Sequence, residues 1–197
     1  MKSRIALSVL IILLAATAFA QSEAQKLVTE PDAHNSSVAL VPSEAQKSFT
    51  TLKSLAGEWE GPVTVPEAPA MSGGKMHLSL RVTSRGNVLV HEFQEAGTPL
   101  DATKYDHPVT MFYLDNDRLL LTHYCDAGNR PRMAARTSAD GKTVEFDFVD
   151  IAGSTQYGHM EHAVFTIIDD NHHSEDWTYL MPGDKPMHAH MDLQRAK

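Results

Sequence analysis

A single cysteine, Cys125, stands in this chain of 197 residues, so no disulfide can form within one copy and stability has to come from an apolar core. Basic residues are scarce too: Lys and Arg total 17 against 25 Asp and Glu, a formal net charge of −8. That balance argues against a nucleic-acid partner, which would call for a basic patch. Beyond the N-terminus there is no long apolar run, hence no second segment able to span a bilayer. Helical periodicity is missing after Gly57, and with it the crossovers that a parallel sheet would need. The chain has no G-x-S-x-G nucleophile elbow, no H-E-x-x-H, no phosphate-cradling glycine loop, and no repeat that would suggest a propeller.

What is present begins with a secretory pattern. Lys2 and Arg4 precede an apolar run from Ile5 to Leu14, and Ala18-Phe19-Ala20 supplies small residues for cleavage before Gln21. Residues 1–20 are therefore expected to be a signal peptide, with the mature protein exported to the periplasm or the extracellular space. The mature chain is then expected to have no integral membrane segment and a net charge of 15 minus 25, or −10. Residues 21–42 are polar, contain Pro31 and Pro42, and read as a flexible leader. The remainder, 43–197, is enough for one domain.

Ser43 with Gln46 three residues later forms a capping box, and Phe49, Leu52 and Leu55 recur at helical spacing, which predicts one short helix. Strand patterning follows. Met76, Leu78, Leu80 and Val82 alternate with polar residues, and Arg85-Gly86-Asn87 turns the chain into Leu89-His91-Phe93. Later runs at Val109–Leu114, Arg118–Cys125, Val144–Phe148, His159–Ile168, His173–Leu180 and Met187–Leu193 are separated by turn residues. About nine or ten strands joined in order predict an all-β fold, a closed or nearly closed antiparallel up-and-down barrel, since an open sheet of that size leaves exposed edges.

The stretch Leu55-Ala56-Gly57-Glu58-Trp59-Glu60-Gly61 lies at the start of the first strand and resembles the G-x-W opening of the calycin superfamily, which holds lipocalins and fatty-acid-binding proteins. The resemblance implies a ligand-holding barrel in which Gly57, Trp59 and Gly61 are structural, with Trp59 packed across the bottom. The chain also resembles exported bacterial lipocalin-like proteins, in the late acidic-Trp strand Ser174-Glu175-Asp176-Trp177 as well as in LAGEWEG. The G-x-W-x-G form is similar to nitrobindin-type haem barrels, whose iron is held by a late histidine, and His188 and His190 are the residues offered there.

Read from the residues, the densest chemistry is Leu119–Met133. A two-residue period puts Leu121, His123 and Cys125 on one strand face, so an imidazole and a thiol share a mostly apolar surface. His91, Phe93, His123, Cys125, Arg132, His162 and Trp177 are expected in or near a cavity, with Arg132 able to fork a ligand carboxylate. Glu175, Trp177 and Tyr179 share a face with His173; if it points inward, Glu175 needs a partner, with Arg132 or His162 as candidates. His172 and His173 sit at a turn and read as mostly exposed. His188-Ala189-His190 could chelate Zn²⁺ or Cu²⁺ if a third ligand converged, with Asp192 next along the face; a core face made of Met187, Ala189, Met191 and Leu193 would instead turn both outward.

The expected function is non-catalytic binding of a small, mainly apolar molecule, one with a carboxylate or carbonyl end included, and with no cofactor. The alternatives are a haem or divalent-metal barrel, and a small enzyme using His123 and Cys125.

Overall fold

The computed structural model describes residues 41–197. The expected signal peptide and nearly all of the expected leader lie outside the described residues. Helix α1 spans Glu44–Lys53. Its capping box forms as the sequence predicts: Gln46 N–H donates to Ser43 Oγ at 3.3 Å, and Ser43 N–H donates to Gln46 Oε1 at 3.0 Å.

Ten strands follow: β1 (Gly57–Thr64), β2 (Lys75–Thr83), β3 (Val88–Glu95), β4 (Val109–Asp115), β5 (Arg118–Tyr124), β6 (Arg130–Thr137), β7 (Thr143–Ala152), β8 (His159–Asp169), β9 (His172–Met181) and β10 (Lys185–Arg195). Each pairs antiparallel with its sequence neighbour, and β1 pairs with β10, so the sheet is a closed barrel without free edges. None of the described helices is long and apolar enough to cross a membrane.

In an up-and-down barrel, successive connections fall at opposite ends. The end bearing the tight β4–β5 turn, where Asn116 and Asp117 take positive φ, is covered by α1, which packs on β4, β5 and β6. Phe49, Leu52 and Leu55 are buried in the core there, each contributing about 1.5–3 kcal/mol of burial. Ser43 hydrogen-bonds Asp117 and Ser48 hydrogen-bonds Thr137, tying the helix to two strand ends.

Trp59 fills this closed end. Its indole N–H donates to the Leu55 carbonyl at 2.7 Å, the Arg195 guanidinium lies 4.2 Å from its ring centroid, and His173 meets it edge-on at 4.3 Å. Gly61 explains why the seam closes there. A Cβ at Gly61 would fall 1.8 Å from the Asp192 carbonyl oxygen, so β1 can approach β10 only without a side chain at that position. Gly57, at φ +142°, similarly leaves room for the Arg195 guanidinium.

Simple alternation fails in β8. A register shift between Met160 and His162 carries the inward face from Met160 to Ala163 and Phe165, as a bulge does. His162, expected beside Met160, therefore points outward.

Candidate functional site

The other end of the barrel receives the β1–β2, β3–β4 and β5–β6 connections, and a cavity of ≈ 320 Å³ opens there. Val63, Met76, Phe93, Met160, Trp177 and Ala189 form much of its apolar wall, with His123 and Cys125 on β5 and its extension. Of the seven residues expected in or near a cavity, Phe93, His123, Cys125 and Trp177 line this one, and His91 lies fully buried against Phe93 and Trp177.

The other two are on the outside. Arg132 alternates with the buried Met133, so its guanidinium leaves the barrel and binds Asp150 on β7 through both carboxylate oxygens, Nε at 2.7 Å. His162 joins Glu145 and Asp147, each at 3.2 Å. Arg136 occupies the same carboxylates at 2.6 Å, so this outer cluster is an ion-pair network.

Glu175 is the most constrained side chain. It is wholly buried, and its carboxylate faces three donors: His91 Nε2 at 3.2 and 3.1 Å, His173 Nε2 at 3.1 Å and Trp177 Nε1 at 2.9 Å. Burial alone pushes the carboxyl up, but the His91 imidazole and the hydrogen bonds from His173 and His91 outweigh it and hold it well below the usual carboxylate range. The partners are thus His91 and His173, not Arg132 or His162. His173, read as exposed from its turn position, is fully buried because the β9 alternation begins at it. Both imidazole Nδ1 atoms are buried without a partner among the described residues. Phe93, Phe112, Phe165 and Trp177 surround the His91 ring at 5.7 to 6.4 Å, so this polar group sits in an apolar box directly beneath the cavity.

His123 belongs to the cavity wall. Its Nδ1 is 2.8 Å from the Thr110 hydroxyl, its cross-strand partner on β4. Burial, with the nearby charge of His91, lowers its pKa to about 3, which keeps the ring neutral. Burial raises the Cys125 thiol, with the Asp106 and Asp126 carboxylates adding to the rise, so sulfur is a thiol and a poor nucleophile. No hydrogen bond joins His123 to Cys125 among the described residues.

The two β10 imidazoles face away from the cavity. Met191 and Leu193 are buried while His188 and His190 are exposed. His188 Nδ1 lies 2.6 Å from Glu67, His190 Nδ1 lies 2.7 Å from Asp176, and Asp192 is taken by His172 at 2.6 Å. Each imidazole has its own carboxylate, so the two do not converge on one ion. A haem held inside the barrel by His188 or His190 does not fit this arrangement.

Sequence reasoning missed Thr110, Asp106, Asp126 and the methionine share of the wall. Thr110 could have been found by pairing β4 with β5 across their turn. The two aspartates sit in connections, where no periodicity locates a side chain.

Compared with models of protein families and with curated protein sequences, the chain matches none. Among solved structures it is similar to Rv2717c from M. tuberculosis, with a TM-score of 0.55 and 14% identity, over 76% of this chain and 98% of that one. It is also similar to a protein of unknown function of the DUF3598 family from Nostoc punctiforme, with a TM-score of 0.39 and 9% identity, over 74% of this chain and 48% of that one. The likeness to Rv2717c is one of fold.

Proposed function

We propose that this protein is an exported, lipocalin-like carrier that binds a small, mainly apolar molecule in the cavity at the open end of the barrel, without catalysing a reaction on it. The observation that carries this reading is the cavity itself, ≈ 320 Å³, within the roughly 300–1,000 Å³ range of small-molecule pockets.

Its lining supports the same reading. Met71, Met76, Met160, Met187 and Met191 are in the wall, five of the nine methionines in the chain. Unbranched thioethers adapt to varied apolar shapes. A neutral imidazole at His123 offers one hydrogen bond for orientation, and Trp59 fills the opposite end.

Native mass spectrometry of the mature chain, purified from cells without a detergent step, tests this. A bound small molecule that dissociates on activation and occupies one site per chain is the expected result. A chain that emerges free and stays free after incubation with apolar compounds contradicts the proposal.

A further inference from the structure

The mouth of the cavity carries charge that an apolar lining does not require. Asp106, in the β3–β4 connection, and Asp126, in the β5–β6 turn, both line it, and the Asp126 N–H donates to Asp106 Oδ1 at 3.2 Å. Two acids from separate connections therefore meet at one opening. Burial, reinforced by the charge of Asp126, pushes the Asp106 carboxyl above its ordinary value. Burial also raises the Tyr179 phenol, with Cys125, Asp126 and Asp106 contributing.

The Asp126 N–H and the His107 imidazole offset this only in part. Among the described residues no Lys or Arg lines the cavity. Lys104 and His107 line the adjoining groove, and the Lys104 ammonium lies 3.4 Å from Asp101. Arg132, the expected carboxylate fork, is engaged by Asp150 on the outer face. An anionic head at this mouth would meet two carboxylates and no donor fork, whereas a cation would relieve their repulsion. The aromatic rings of Phe93, Trp177 and Tyr179 in the same wall add partners of the kind that favour positive charge.

We infer that the ligand is an amphipathic cation, an alkyl or aryl amine whose chain fills the methionine-lined chamber and whose ammonium group sits at Asp106 and Asp126. This inference rests on the binding reading above and narrows it.

The test is a comparison of octylamine, octanol and octanoate, which share one chain and differ in head-group charge, by isothermal titration to the mature protein at neutral pH and low salt. Octylamine is expected to bind tighter than octanol, and tighter than octanoate by roughly tenfold or more, with the ratio shrinking as added salt screens the mouth. In the double variant Asp106→Asn, Asp126→Asn the amine-to-carboxylate ratio is expected to collapse toward one. Asn keeps the carbonyl oxygen that accepts the Asp126 N–H; should the double variant fail to fold, the single Asp126→Asn variant and the salt series in the unaltered protein carry the same comparison. Octanoate binding as tightly as octylamine, or a preference that survives both substitutions and salt, overturns the inference while leaving the carrier in place. If octanol and both charged ligands all fail to bind, the cavity reading falls and takes this one with it.

Discussion

Glu175 is an acceptor-only group facing three donors, and that count decides what a substitution does. Glu175→Gln keeps the shape but offers one acceptor oxygen and adds two donors, so at least one N–H of His91, His173 or Trp177 loses its partner in the core. Breaking such a buried arrangement costs about 3–5 kcal/mol. Urea unfolding at neutral pH should show a loss of that size, and a loss below about 1 kcal/mol would contradict the assigned network. His123 sets a pH dependence of opposite origin. Burial lowers its imidazole pKa to about 3 when folded, against an ordinary value of 6.5, so between those values the unfolded chain binds the extra proton. Stability from this group is fully present above pH 6.5 and is lost as pH falls, by about 1.4 kcal/mol per unit. His123→Asn should therefore have a shallower decline in unfolding free energy between pH 6 and pH 4 than the unaltered protein; parallel declines would show that His123 takes up its proton in the folded state.

Among the elements, the β1–β10 seam is the most sensitive to a single added atom. Gly61→Ala places a methyl group 1.8 Å from a backbone carbonyl that cannot rotate away. The seam has to spread, at a cost of about 1–3 kcal/mol, and a lowered unfolding temperature with protection lost first at amides of β1 and β10 is the expected hydrogen-exchange result. Much at this scale was legible in advance. The Ser43–Gln46 box and the Phe49-Leu52-Leu55 stripe declared α1 because both signals are local. His123 and Cys125 line one cavity because β5 runs without a bulge, so period two holds along it. His162 was misplaced for the converse reason: the irregularity after Met160 inverts the strand face, and no residue type there announces it. His173 reads as exposed from its place beside a turn, yet the alternation that links it to Glu175 and Trp177 carries it inward.

For the whole molecule, ten strands closed on themselves remove every edge and stabilise a chain whose one cysteine has no mate. The helix and Trp59 close one end, which leaves the opposite end as the site of exchange with solvent. The proposed site therefore draws on the part of the chain where sequence patterning is weakest, the connections that carry Met71, Asp106 and Asp126. The barrel and four residues of its cavity wall, Phe93, His123, Cys125 and Trp177, could be read from alternation. The charge of the mouth could not, since it depends on two connections meeting in space. The proposed carrier needs a usable apolar chamber at the open end, and Ala189, small and in its wall, is the place to block it. Titration with the neutral, environment-sensitive fluorophore N-phenyl-1-naphthylamine should give saturable binding at one site per chain, abolished in Ala189→Trp while circular dichroism and the unfolding temperature show the barrel intact. No saturable binding to the unaltered protein, or equal binding to the blocked variant, would contradict it.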